Sequence, residues 1–190
     1  MGTIKATNIE PIANNGTVTL GSSGDTFTVP SGVTVNMSSA TQTGVGGANT
    51  PIVSVDMTGS DPTISSGAYT KIQMNTERVD TDNAFDNSSN YTFTVPSGKA
   101  GKYFMIGFAR IQALNGTSDF AVLQLANSGR STVYNSNVQS GNSGYGFAAI
   151  TVSCARDLSV GDTVSLFAYG SEEINIADGN CNLTVYKLID

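Results

Sequence analysis

The sequence predicts an all-β protein, with a jelly-roll sandwich in its second part and a Gly/Thr-rich strip of short strands before it. Three observations carry this. Apolar and polar residues alternate in short runs, the mark of strands with one buried face. No stretch of the 190 residues offers a capped apolar stripe of 3.6-residue period. Finally, 22 Ser, 22 Thr, 17 Asn and 21 Gly make up over two fifths of the chain, and these types supply turns and solvent faces of sheets.

The first part reads as thin strands between Gly turns. Thr17-Val18-Thr19-Leu20, residues 25–29 and residues 33–37 each alternate Thr or Asn with an apolar residue. Three such strands bury too little to offset their own ordering. They need neighbours, and several copies wound together in a fibrous stalk would supply them. Residues 38–50 read as flexible connector, and Ile52-Val53-Ser54-Val55 as one more strand. Gly, Pro and Ser punctuate residues 58–67 without periodicity. The expected organisation is therefore a β-rich anchoring or stalk segment over 1–60, a linker over 61–67 and a globular head over 68–190. Charge agrees, because residues 1–66 carry five charged groups and residues 67–190 carry nineteen.

Strand follows strand in the second part. It opens with residues 71–74 and 91–95, and residues 102–111 form a long central strand that is apolar on both faces. Residues 120–126 turn at Asn127-Ser128-Gly129 into residues 131–138. Residues 146–154 alternate Ala148, Ile150, Val152 and Cys154 against Ala149, Thr151 and Ser153. Residues 163–169 follow the turn at Gly161-Asp162, and the strand around Leu183 and Val185 closes the chain. About eight strands at this spacing predict a sandwich or jelly roll. One heptapeptide occurs twice: Thr26-Phe27-Thr28-Val29-Pro30-Ser31-Gly32 recurs as Thr92-Phe93-Thr94-Val95-Pro96-Ser97-Gly98. Each copy reads as an alternating strand stopped by Pro, then a Ser-Gly turn.

Composition excludes several functions. With no His there is no Ser-His-Asp or Cys-His pair and no His-containing zinc site. Nine Lys and Arg against fifteen acids, net charge −6, leave no basic footprint for nucleic acid. No apolar run reaches the roughly 18 residues of a membrane span. The opening Met1-Gly2-Thr3-Ile4-Lys5-Ala6 lacks the apolar core of a signal peptide, and Ala6 stands where myristoylation wants Ser or Thr. Synthesis in a cytoplasm without a classical export signal is the expectation.

Three sets of residues merit weighing. Asp80, Asp82 and Asp86, with the Asn83 amide, offer hard oxygen ligands of the kind calcium takes. An EF-hand is excluded, since Phe85 stands where its Gly belongs and Tyr91 where its Glu belongs. The plainer reading is a turn in which Asp and Asn bond their own backbone. Glu172, Glu173 and Asp178 form a second acidic loop with the same alternative. Cys154 and Cys181 fall in the inward rows of their strands and read as two buried thiols acting as small hydrophobes. The six Asn-x-Ser/Thr sequons carry no signal, because this composition gives about four by chance. Paired carboxylates can cleave glycans, but nothing separates such a pair here from solvated loop acids, so no enzymatic activity is expected. Tyr134 and Tyr145 are candidates for a contact surface, where Tyr is enriched.

Residues 68–190 resemble the globular head of the complement C1q and tumour-necrosis-factor superfamily. Residues 72–76 lead to an Asn/Asp-rich loop containing Phe85-Asp86. Tyr91-Thr92-Phe93-Thr94-Val95-Pro96 and Gly101-Lys102-Tyr103-Phe104 then match the family's "Phe-Thr-x-Pro … Gly-x-Tyr" pattern. Leu158-Ser159-Val160-Gly161-Asp162-Thr163-Val164 matches its "Leu-x-x-Gly-Asp-x-Val" pattern, and the terminal strand ends at Leu188. The resemblance implies a jelly roll that assembles as a homotrimer. It also implies that the strands of Cys154 and Cys181 are not neighbours, and it lends the calcium reading support, since some heads of this family bind calcium. Trimer packing is assigned to Tyr103, Met105, Phe167 and Tyr169 from the two aromatic-rich central strands. The collagen repeat of the animal proteins is absent, and a Gly/Thr strip stands in its place. Residues 3–12 and 20–25 resemble the starts of virion proteins from marine tailed phages, which pair such a start with a jelly-roll head.

Together these readings predict a phage virion protein, a trimeric capsid decoration or fibre protein made in the bacterial cytoplasm and located in the virion. Its expected partners are its own copies, other virion proteins through the N-terminal segment, and a host surface glycan, without nucleic acid or membrane insertion. A tail-fibre receptor-binding tip is the alternative, and a secreted binding module of the same fold a third. Calcium is the one candidate cofactor.

Overall fold

The computed structural model describes residue 19 and residues 22–35, 49–113, 119–141 and 146–189. The chain divides into two compact units, Met1–Val45 and Gly46–Asp190.

In the first unit, two turns bracket the first copy of the repeated heptapeptide. The Asp25 amide donates to the Ser22 carbonyl at 3.0 Å, and the Ser22 amide donates to Asp25 Oδ2 at 2.7 Å. The Val33 amide donates to the Pro30 carbonyl at 3.3 Å. The strands expected at 25–29 and 33–37 are not formed among the described residues 22–35. A strand is held by ladder bonds to a neighbour, so alternation alone does not make one. Of the strand expected at 17–20, all but Thr19 lies outside the described residues, as do residues 36 and 37.

The second unit is built from twelve strands among the described residues: β1 (Ile52–Asp56), β2 (Thr63–Ile64), β3 (Thr70–Lys71), β4 (Thr76–Asp80), β5 (Phe85–Asp86), β6 (Thr92–Thr94), β7 (Gly101–Gln112), β8 (Phe120–Ala126), β9 (Val133–Ser140), β10 (Phe147–Leu158), β11 (Thr163–Gly170) and β12 (Ile174–Ile189). They form two antiparallel sheets. The first runs β10-β7-β12-β1-β4, with β2 paired to β12, and the second β5-β6-β11-β8-β9, with β3 paired to β11. The predicted all-β jelly roll is therefore observed, and no helix occurs among the described residues.

The expected domain boundary is corrected. Val53 and Val55 are fully buried, and β1 pairs with β12 from Ile52↔Tyr186 to Asp56↔Asn182. Within the supposed linker 61–67, Thr63 and Ile64 pair with Asn175 and Ile174, and Ile64 is buried. The globular unit thus begins at Gly46. The Gly/Pro/Ser punctuation marks turns between short strands of the head.

Alternation sets which side chains fill the space between the sheets. From β7 these are Tyr103, Met105, Ala109 and Ile111, from β12 Leu183 and Val185, and from the second sheet Leu123, Leu125 and Leu166. Tyr103 tilts against Phe93 at 5.7 Å, and its hydroxyl donates to the Lys99 carbonyl at 2.6 Å, so a buried phenol keeps its hydrogen bond. Gly107 lies directly under Leu166, where a Cβ would come within 2.4 Å of a Leu166 methyl group. At one side of the sandwich, β9 and β10 are joined by side chains. Asn135 Nδ2 donates to the Ser153 carbonyl at 2.7 Å, Asn137 Nδ2 to the Thr151 carbonyl at 2.8 Å, and Arg156 to the Tyr134 carbonyl.

Close approach also governs Gly170 at the end of β11. A Cβ there would sit 2.3 Å from the Glu172 carbonyl oxygen and about as close as contact allows to Ile174. Backbone cannot swing aside as a leucine methyl can. Gly170→Ala is therefore expected to cost about 1–3 kcal/mol, and Gly107→Ala less. Denaturant titration of both variants checks the order.

Candidate functional site

The acidic loop between β4 and β6 was the sharpest sequence candidate. Its carboxylates turn to local donors. Asp80 Oδ1 accepts the Asp82 and Ala84 amides at 3.3 and 2.9 Å, and its Oδ2 accepts the Phe85 amide at 2.9 Å. Asp86 accepts the Ser88, Ser89 and Asn90 amides, the Ser88 and Ser89 hydroxyls and the Asn90 carboxamide. Asp82 takes the Thr81 hydroxyl at 2.7 Å and faces Lys99 at 3.4 Å. Among the described residues no three His, Cys, Asp or Glu side chains gather as a metal site would require. The carboxylates of Asp80, Asp82 and Asp86 thus make the local bonds that the turn reading expects, with Asn83 at φ 51° giving the loop its left-handed step.

The second acidic loop is likewise structural. Asp178 Oδ1 accepts the Gly59 amide at 2.7 Å, and the Asp178 amide donates to Asp61, tying β12 to the segment after β1. Glu172 and Glu173 point to solvent.

Cys154 and Cys181 are free thiols. They stand on β10 and β12 with β7 between, Cys154 opposite Met105 and Cys181 opposite Ala109. Burial pushes both thiols up, Cys181 far more than Cys154. Cys181 is fully buried as expected, whereas Cys154 is only half-buried.

Of the four residues assigned to trimer packing, Tyr103 and Met105 are 0% exposed between the two sheets, so no second chain reaches them. Phe167 and Tyr169 lie on the outer face of the second sheet. Lys71 Nζ covers Phe167 at 5.7 Å, and Tyr169 stands between Tyr69 at 4.9 Å and Phe120 at 5.8 Å. Arg130 closes this stack, its guanidinium 3.5 Å from the Tyr69 ring and its Nε 2.6 Å from Gln124 Oε1. Tyr134 serves structure: its hydroxyl donates to the Thr163 carbonyl at 2.9 Å, and burial raises its pKa. Tyr145 lies outside the described residues.

An apolar row also lies on the opposite parity of β7. Phe104, Ile106 and Phe108 face outward from the first sheet and are only partly buried. Tyr186 of β12 stands opposite Phe104, ring to ring at 5.5 Å, and Ile52 of β1 extends the row. On the other side β10 sets Ala155, Ser153 and Thr151 opposite these rings, leaving a low rim. Arg110 lies over the Phe147 ring at 4.4 Å, and its Nε is buried without a hydrogen-bond partner. Sequence reasoning missed this face because residues 102–111 are apolar on both sides. The signal lay in β10, whose apolar row must pair with the inward row of β7.

Comparisons with known structures identify the architecture. No family model matches the chain, and no curated protein matches it. Solved structures that share its fold include the following three. The globular domain of zebrafish complement 1qA superposes with a TM-score of 0.51 at 13% identity, over 73% of this chain and 98% of that one. The TNF protein Eiger from S. frugiperda gives 0.55 at 12% identity, over 75% and 95%. Murine APRIL gives 0.53 at 11%, over 72% and 98%. The fold of the head is therefore that of the C1q/TNF-like jelly rolls.

Asp86 provides a local test of the loop. Donors from Ser89 and Ser88 hold its carboxyl well below the usual carboxylate range. A depressed folded pKa stabilises above the unfolded value near 4 and is lost only as pH falls through the folded value. The residue 86–90 turn should thus persist at pH 3, and a carboxyl NMR titration should place the Asp86 midpoint well below the ordinary Asp value. A midpoint near 4 would contradict this geometry.

Proposed function

We propose that this protein is a homotrimeric structural protein of a tailed-phage particle, a capsid decoration or fibre protein that stabilises the particle and presents an adhesive head. The carrying observation is the outer face of the first sheet, where Phe104, Ile106, Phe108 and Tyr186 form a contiguous apolar row across β7 and β12. Apolar patches of this kind mark association surfaces. Three copies related by a threefold axis close without leaving such a face open, in line with the trimer that the C1q/TNF resemblance implies. Three linked heads turn weak surface contacts into useful attachment. The work is assembly and adhesion without bond chemistry. Support for a virion comes from the opening of the chain, which resembles virion-protein starts, and from an acidic, His-free composition.

A second reading, a tail-fibre tip recognising a host surface glycan or protein, is favoured by the Phe120–Tyr169–Tyr69 stack. It lies on the sheet that a trimer packed through the first sheet leaves outward, and Phe120 is exposed.

Sedimentation of the full chain should give a trimer, and Phe104→Asp or Ile106→Asp should give a folded monomer with unchanged far-UV dichroism. A monomeric parent chain would overturn the proposal. Cryo-electron microscopy of intact particles should place the protein on the capsid for the first reading. Density at a tail tip would favour the second, and its absence from particles would remove both.

A further inference from the structure

The two copies of the heptapeptide make a controlled comparison inside one chain. Both form the same turn. The Val33 amide reaches the Pro30 carbonyl at 3.3 Å, the Lys99 amide reaches the Pro96 carbonyl at 3.1 Å, and Gly32 and Gly98 take φ of +82° and +73°. Such a positive φ at the third position defines a type II turn. The strand that precedes the turn differs. In the head it is β6, which pairs with β5 through Phe93↔Phe85 and with β11 through Phe93↔Val164. There Phe93 is 0% exposed and Val95 1%. In the first unit the equivalent Phe27 is 69% exposed and Val29 37%, and Val33 and Val35 beyond the turn are exposed as well.

We infer that residues 25–35 are an interchain strand–turn element whose partners are the same residues of the other two copies in the trimer. This rests on the trimeric reading of the head and adds to it the element that would make residues 1–45 a stalk. Residues 25–30 form no strand in the single chain, but the Ser22–Asp25 and Pro30–Val33 turns already bracket them at both ends. Only a ladder is lacking. The occupant follows from charge and tethering. Asp25 is the one charged residue between Glu10 and Asp56, and its carboxylate already accepts the Ser22 amide. Beyond Asp25, residues 26–35 carry no charge, so this Thr/Val strip has nothing with which to select a charged partner and can lie beside its own copy without like charges in opposition. Three heads held together keep three such strips at high effective concentration. Edge-to-edge pairing then gives each strip its backbone partners and sets Phe27, Val29, Val33 and Val35 beside the same side chains of the neighbouring copy.

Hydrogen exchange and cross-linking on the full chain test this. In the trimer, amides of residues 26–35 should exchange roughly 100-fold slower than an unstructured peptide. In the monomeric Phe104→Asp chain that protection should vanish, and Phe27→Ser with Val29→Ser should abolish it while sedimentation still shows a trimer. Thr28→Cys should give dimers linked through position 28 on oxidation in the trimer and none in Phe104→Asp. A trimer whose residues 26–35 exchange freely overturns the inference and leaves the head trimer standing. Protection that survives in the monomer overturns it too, since the partner then lies in the same chain. A monomeric parent chain overturns both.

Discussion

The head depends on the parity of β7. Its twelve residues pair with β10 on one side and β12 on the other along almost their whole length, so one strand sets the facing of three. With Tyr103, Met105, Gly107, Ala109 and Ile111 inward, the facing sheet meets two large side chains, then a gap that Leu166 enters, then a branched one. A slip of one residue would turn Lys102 and Arg110 inward. Burying either cation unpaired costs several kcal/mol, and the polar row Thr151, Ser153 and Asp157 of β10 would follow β7 into the core. The register is therefore chosen by what cannot be buried, because the aromatic and aliphatic residues of β7 would suit either side.

That choice has a consequence for association. Since both rows of β7 are apolar and only one can line the core, the other must face out. The outer row of Phe104, Ile106 and Phe108 is thus a by-product of no folding requirement: Thr or Lys at those positions would satisfy the sandwich equally well. The flanks fit the same view. Tyr186 and Ile52 continue the apolar row on one side, and the small residues of β10 lower the rim on the other. Arg110 follows Phe108 in the same row and stacks on Phe147 at 4.4 Å.

Much of this architecture was legible in the sequence. β8 was read to the residue at 120–126, and β7, β10 and β11 were each found within a few residues, since long alternating runs between turn residues admit no other reading. The strand β4 was missed because Thr-Glu-Arg-Val-Asp presents charges, as sheet edges do, and so reads as loop. β1 was placed with the stalk because composition shifts after it, whereas its pairing with β12, 130 residues away, leaves no trace in local pattern. The site was less legible than the fold. Residue type named Asp80, Asp82 and Asp86 as oxygen donors. Whether a carboxylate looks outward to a cation or inward to its own backbone depends on loop geometry that composition does not carry.

The repeated heptapeptide shows where that line falls physically. Its turn closes through one hydrogen bond spanning three residues, with a glycine at the position that needs positive φ, so seven residues suffice to specify it and both copies form it. Its strand needs ladder partners from Phe85 and Val164, 8 and 71 residues from Phe93, so the same seven residues are a core strand in one place and an exposed strip in the other. The polar excess divides the same way. Asn135 and Asn137 lie in the row that faces Leu125 and Leu123, where alternation calls for apolar side chains, yet their carboxamides reach the carbonyls of β10 and bridge two sheets that share no ladder there. An amide in that row trades buried area for a donor that closes the sandwich. The abundant Asn of this chain is thus partly structural, doing at the open side of the jelly roll what backbone bonds do within each sheet.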